Sequence, residues 1–161
     1  MWPSNDFVFP GEHSSNGENI LHYLCRNGGV VDLLHYENAI TDENRYLVSE
    51  YNHRGQQCVH IVASEDNLDP KRKLKRLIEW GANINAKENI FGDTPLHITV
   101  RTKNYELAEW ICQQSQVNLE ALNYAQQTPY DLAYKRNDVK MMNLLEENGA
   151  QRKTSWDAVN C

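Results

Sequence analysis

Proline is sparse in this chain, cysteines are few, and it has no long apolar run. Its 161 residues include four cysteines, five prolines and 9% aromatics, at a mean hydropathy of −0.70. No stretch approaches the roughly 20 apolar residues that a membrane-spanning helix needs, so no membrane association is expected. Cys25, Cys58, Cys112 and Cys161 lie far apart without a C-x-x-C pair, whereas a small disulfide-stapled domain would be denser in them. The first three read as free thiols serving as small core hydrophobes in a reducing compartment. Met1 to His13 has neither a basic stretch nor an apolar one, so it does not read as a secretory signal. A glycine-rich phosphate loop, a paired-carboxylate motif and H-E-x-x-H are all missing. No catalytic, cofactor-binding or metal-ligating residue is therefore expected, and the chain is not read as an enzyme.

Positive charge is also in short supply. Sixteen Lys and Arg against 22 Asp and Glu leave −6 and a pI near 5.5, which argues against direct nucleic-acid binding. The deficit is uneven. Residues 1–70 hold three bases (Arg26, Arg45, Arg54) and eleven acids, a balance of −8, whereas residues 71–161 hold 13 and 11, a balance of +2. An acidic front of this kind is expected to attract a basic partner segment. Disorder does not follow from the polarity. A hydrophobic content of 40%, spread along the chain, is too much apolar surface for an unfolded tail.

What is present is repetition. Gly92-Asp93-Thr94-Pro95-Leu96-His97-Ile98-Thr99-Val100 has counterparts in Ala125-Gln126-Gln127-Thr128-Pro129-Tyr130-Asp131-Leu132-Ala133 and in Gly55-Gln56-Gln57-Cys58-Val59-His60-Ile61-Val62-Ala63. Gly17-Glu18-Asn19-Ile20-Leu21-His22-Tyr23-Leu24-Cys25 is a weaker copy. The equivalent positions His22, His60, His97 and Asp131 are 38, 37 and 34 residues apart. A second block, Gly81-Ala82-Asn83-Ile84-Asn85-Ala86, recurs as Asn118-Leu119-Glu120-Ala121 and as Gly149-Ala150. Together these resemble the ankyrin repeat, with its period of about 33 and its T-P-L-H-x-A signature.

The residues make physical sense on their own. Thr94 and Thr128 suit helix N-caps, and Pro95 and Pro129 suit the first helical position, where a missing N–H is harmless. Leu96, Val100, Leu107 and Ile111 recur at helical spacing. Gly81 and Gly149 suit a left-handed helix end, and Gly55 and Gly92 suit a turn. Each unit reads as turn, helix, helix, loop, and none buries its own face alone. The expected fold is all-α, an ankyrin-repeat solenoid of about four stacked helix-turn-helix repeats. The expected layout is an N-terminal cap or arm at 1–13, a degenerate repeat at 14–51, repeats at 52–88, 89–122 and 123–151, and a C-terminal tail at 152–161. Extra residues fall near Thr41 to Tyr46 and at Asn67-Leu68-Asp69-Pro70, where Pro70 is expected to open a helix.

Some residues invite sharper readings. His22, His60 and His97 could suggest a metal site, but one repeated position in stacked repeats sets them about 8–10 Å apart, too far for ligands that lie about 2 Å from zinc. They are read instead as bonding to loop backbone. Lys71-Arg72-Lys73-Leu74-Lys75-Arg76 looks like a nuclear-localisation or nucleic-acid patch. It reads more simply as the solvated face of a helix whose Leu74, Leu77 and Ile78 point inward. Trp80 and Trp110 read as packing residues, and Trp2, Phe7, Phe9 and Trp156 as anchors for the chain ends. An uncapped first repeat would leave the chain able to pair with a second copy, so either a monomer or a homodimer is expected.

The succession from Gln57 to Ser64, through Gly81 to Glu88, to Gly92–Val100 and Thr128–Ala133 resembles the middle and later repeats of the IκB proteins, the inhibitors of NF-κB/Rel transcription factors, including the insect member Cactus. Cys58 in place of Pro, the extra residues before Asn118 and Tyr130 in place of Leu add to that likeness. A D-S-G-x-x-S phosphodegron and an acidic tail are both missing, which is similar to the viral ankyrins, or vankyrins, of polydnaviruses. The resemblance implies an inhibitor that binds host Rel proteins of the Dorsal or Relish kind, keeps them off DNA and suppresses insect immunity. It also implies a place in the host cytoplasm, with the nucleus as a second location. An ankyrin adaptor for another host protein is the alternative. By the repeat register, the partner-binding residues are His53, Arg54, Ser64 and Glu65 in the second repeat. In the third they are Ile90, Phe91, Asp93, Arg101 and Thr102, and in the fourth Tyr124, Ala125, Gln127, Lys135 and Arg136. Ile90-Phe91 stands out, because an apolar pair at a turn tip is costly unless a partner covers it.

Overall fold

A computed structural model of the chain describes residues 13–64 and 68–152. The described residues are helical and contain no strand. Glu65 and the proposed end anchors Trp2, Phe7, Phe9 and Trp156 lie outside them. The chain divides into two compact units, Met1–Asn83 and Ile84–Cys161.

The first unit holds α1 (Ile20–Asn27), α2 (Val30–Tyr36), α3 (Cys58–Ser64) and α4 (Pro70–Glu79), with short 3-10 turns at Glu37–Ala39 and Arg45–Ser49. Helix α1 packs on α3 and α2 on α4, while α1 meets α2 and α3 meets α4. Two helix pairs thus lie side by side, burying Leu21, Leu24, Leu33, Ile61, Leu74 and Leu77 completely. The insertion near Thr41 leads into the second 3-10 turn, which sends Leu47 and Val48 into this core.

The second unit repeats the plan with α5 (Pro95–Thr102), α6 (Tyr105–Cys112), α7 (Pro129–Lys135) and α8 (Val139–Glu147). Here α5 packs on α7 and α6 on α8, with α5 against α6 and α7 against α8. Leu96, Val100, Leu107, Ile111, Met141 and Leu145 form the core.

One device starts α1, α5 and α7, and α3 carries half of it. Thr94 and Thr128 cap α5 and α7 with their side chains, and a proline follows each. Asn19 does the same for α1 by accepting from the N–H groups of Leu21 and His22. Three residues into the helix a side chain reaches back. His22 Nδ1 accepts from Asn19 N–H at 3.1 Å, His60 Nδ1 from Gln57 N–H at 2.9 Å and His97 Nδ1 from Thr94 N–H at 3.3 Å. Asp131 Oδ2 accepts from Thr128 N–H at 3.0 Å. In α1, α5 and α7 this completes a capping box, with histidine in the usual place of glutamate in the first two; α3 has only the back-reaching half, since Gln57 Oε1 accepts no hydrogen bond.

The acceptor role of Nδ1 fixes the tautomer. Nε2 must carry the proton, and it donates onward, from His22 to Glu50 O at 3.0 Å and from His97 to Gln127 O at 2.9 Å. The His22 and His97 rings therefore each tie a helix start to the following turn, the backbone role expected from sequence. No group of three or more His, Cys, Asp or Glu is placed to hold a metal among the described residues.

A pH dependence follows. Burial pushes His22 and His97 below the ordinary histidine value of 6.5, with their bonds to backbone carbonyls, and then nearby carboxylates, only partly opposing it. Below pH 6.5 the unfolded chain therefore binds protons that the folded chain refuses, and stability is lost as pH falls towards the folded values. The expected result is a denaturant midpoint flat between pH 7 and 8 that drops on acidification to pH 5.5. His97→Gln should make that drop shallower, and an equal drop in the variant would count against the assignment.

The basic run differs from expectation most at Lys73, and Ile78, expected to point inward, is half-buried. Leu74 and Leu77 are buried as expected, but so is Lys73, at 0% exposure. Position 73 lies on the same face as 77, one turn away, so the run is not a uniformly solvated face. Lys73 Nζ donates to Cys25 O at 3.1 Å, one of the last carbonyls of α1, which lack helical donors. Burial pushes the ammonium below the usual lysine range, and Asp32 and Asp69 partly offset this. Lys73→Met keeps the stem and removes the donor, so it should destabilise the protein by about 1–3 kcal/mol in urea unfolding. A change within error would mean that the Cys25 carbonyl is satisfied without the ammonium.

Cys25, Cys58 and Cys112 are buried free thiols, as expected. Burial pushes the Cys58 thiol well up and raises Cys112 to about 12, so neither is a reactive thiolate near neutral pH. Trp80 is buried, and Trp110 is half-buried.

Candidate functional site

The turn before each helix pair is organised by one side chain. In the second unit, Glu88 accepts from the N–H groups of Ile90 (2.7 Å), Phe91 (2.6 Å) and Asp93 (3.0 Å). Asn123 Oδ1 accepts from Ala125 and Gln127 N–H, both at 3.0 Å. Asn52 and Ser14 hold their turns in the first unit in the same way. Consecutive turns are joined by one backbone bond, Tyr124 N–H to Phe91 O at 2.8 Å and His53 N–H to Asn16 O at 2.9 Å.

The turns leave little room. Gly92 has φ +69°, and a Cβ there would sit 2.4 Å from the Tyr124 ring; Gly17 at φ +67° stands in the same relation to the His53 ring. The aromatic ring of one turn thus lies on the glycine of the turn before, a close approach that glycine alone permits.

The turn tips of the second unit are apolar and open. Ile90 is 62% exposed, Phe91 56% and Tyr124 58%. The Arg101 guanidinium lies over the Phe91 ring, 4.9 Å from its centroid, and its Nε donates to Asp93 Oδ2. Asp93 Oδ1 accepts from Asn123 Nδ2 at 2.9 Å. Arg136 Nη2 reaches Arg101 O at 3.3 Å. The first unit has the same clamp: Glu18 Oε1 accepts from Arg26 Nη2 at 2.7 Å and from Asn52 Nδ2 at 3.3 Å.

Of the expected contact residues, Ile90, Phe91, Tyr124 and Ala125 are exposed at turn tips, and Thr102, Lys135 and Arg136 are exposed at helix ends. Arg101 and Gln127 are half-buried, as is Ser64 in the first unit, where His53 and Arg54 are exposed. Glu65 is outside the described residues. Asp93 is a correction. It is 1% exposed, drawn inward because Arg101 and Asn123 both donate to it, and it presents no oxygen to a partner. Its role is to fix Arg101. The pairing at i and i+8, Glu18 with Arg26 and Asp93 with Arg101, is not visible in the repeat register. An acid before the helix cap and an arginine eight residues on was the available signal.

The paired helices, the tip-to-tip bonds and the repeated capping boxes define an ankyrin-repeat protein. The family model of ankyrin repeats, in three copies, matches residues 59–155. The chain is 55% identical to I-Kappa-B like protein C2 of Microplitis demolitor bracovirus (isolate Webb) over 151 residues, which covers 94% of this chain and 83% of that protein. Protein I1 of the same virus is 47% identical, covering 94% and 90%. The chain belongs to this family of I-Kappa-B like ankyrin-repeat proteins. The ankyrin repeat domain of Bcl-3, a member of the IkappaB protein family, superposes with a TM-score of 0.79 at 20% identity, over 88% of this chain and 60% of that one. That likeness concerns the fold.

Proposed function

We propose that the protein binds NF-κB/Rel transcription factors of the host, blocks their binding to DNA and so suppresses insect immunity. The observation that carries this reading is 55% identity across 94% of the chain to a viral I-Kappa-B like protein. The open apolar tips Ile90, Phe91 and Tyr124 support it, since rigid apolar anchors ringed by polar groups are what a partner interface uses. Inhibition is by occlusion: a bound scaffold covering roughly 1,200–2,000 Å² in total denies that surface to DNA. The site of action is the host cytoplasm, and the nucleus where the complex enters it.

The test is capture of a purified insect Rel homology region by the full chain. Retention at submicromolar concentration is expected. Its absence at micromolar concentration would remove the Rel reading and leave an ankyrin adaptor for another host protein.

A further inference from the structure

The second unit sorts its charges in a way its composition hides. Counted by sequence, residues 84–161 carry eight bases and ten acids. Of the acids around the turns and first helices, Glu88, Asp93, Asp131 and Asp138 are buried, while Glu120, just before the second turn, is exposed and accepts from Gln151 N–H. Glu88 is taken up by turn N–H groups, Asp93 by Arg101 and Asn123, Asp131 by the Thr128 N–H and Asp138 by the Met141 N–H. The bases at the ends of α5 and α7 stay accessible: Lys103, Lys135 and Arg136 are exposed and Arg101 half-exposed. Lys135 occupies in α7 the register position that Arg101 holds in α5, and Arg136 bonds to Arg101 O. The second helices lean the other way, with Glu106, Glu109 and Glu147 exposed against Lys140.

A partner reaching the turn side of this unit therefore meets ionised donors beside three open apolar side chains, Ile90, Phe91 and Tyr124. Buried carboxylates temper the field but offer no accessible oxygen. We propose that this face receives an acidic protein segment carrying an apolar side chain. Its carboxylates pair with Lys135, Arg136 and Arg101, and its apolar group packs on Ile90, Phe91 and Tyr124. This rests on the partner-binding reading above and names the chemistry of the segment bound at the second unit. It is opposite in sign to the basic segment that the acidic front of the sequence suggests.

Single-stranded nucleic acid would also use cations and rings, but two observations disfavour it. The Arg101 guanidinium already lies over the Phe91 ring, where a base would have to stack. The unit also has an acid excess, and on its second helices the one exposed base, Lys140, lies over the Tyr105 ring beside exposed Glu106, Glu109 and Glu147.

The test uses the full chain and three labelled probes: a 12-residue peptide of Glu, Asp and Leu, its Lys and Leu counterpart, and oligothymidylate. Each is titrated by fluorescence anisotropy at two salt concentrations. The Rel homology region is titrated in parallel. The acidic peptide should bind at least about tenfold more tightly than the other two and weaken with salt. Lys135→Glu/Arg136→Glu should cost the acidic peptide and the Rel region about tenfold or more, while Glu106→Lys/Glu109→Lys on α6 changes neither more than about twofold. Circular dichroism confirms folding of each variant, with Lys135→Glu alone as the fallback. Preference for the basic peptide or for oligothymidylate overturns the proposal. So does Rel binding unchanged by the double reversal, an outcome that leaves the Rel reading intact. Acidic-peptide binding that the double reversal abolishes, without Rel binding, removes the Rel reading and keeps this one.

Discussion

Asp93→Ala should destabilise the protein by about 2–4 kcal/mol, the range for breaking a hydrogen-bonded charge that is itself buried. The carboxylate is 1% exposed and serves two donors, Arg101 Nε and Asn123 Nδ2. Truncation leaves the Asn123 amide without its acceptor inside the structure, and Asn123 also closes the next turn through Ala125 and Gln127 N–H. The lower end of the range applies to the Arg101 part, because that side chain is 34% exposed and water replaces some of what it loses. A second consequence separates this role from simple packing. Freed from Asp93, Arg101 should leave the Phe91 ring, so binding to the Rel region should weaken even where the variant is fully folded. Urea unfolding and a binding titration read the two effects. A change below about 0.5 kcal/mol, with unaltered binding, would show that Asp93 does not organise the tips.

The double substitution Ile90→Ser/Phe91→Asp should act on binding alone. Both side chains are more than half exposed, so their loss opens no cavity, and their N–H groups stay bonded to Glu88. Stability should change by less than about 1 kcal/mol, as for surface sites away from caps and core. Two anchors worth about 2 kcal/mol each would together lower affinity roughly a hundredfold to a thousandfold. The new carboxylate at 91 would also sit beside Arg101 and compete with an acidic partner for it. Unchanged affinity would move the contact surface away from this turn tip.

The scaffold was legible because its signals are local. Thr94-Pro95 and Thr128-Pro129 announce caps, Gly92 announces a left-handed turn, and the recurring histidine announces the period. All of these act within a few residues of chain. The features that escaped are decided by residues distant in sequence. Asp93 sits next to a tip and so reads as a contact. Asn123, 30 residues on, helps to pull it inside. Lys73 belongs to a run of cations and so reads as solvated, yet the α1 carboxyl end, 48 residues away, takes it in. The basic character of the turn side in the second unit was hidden for the same reason. A charge count weighs buried and exposed groups alike, and here four of the acids of that side, Glu88, Asp93, Asp131 and Asp138, are buried.

The most direct measurement is a competition titration: an insect Rel homology dimer on a labelled κB duplex, with increasing amounts of the full chain. Stoichiometric release of DNA at submicromolar concentration, lost in Ile90→Ser/Phe91→Asp, is the expected result. A duplex that stays bound at tens of micromolar of folded protein would contradict inhibition by occlusion.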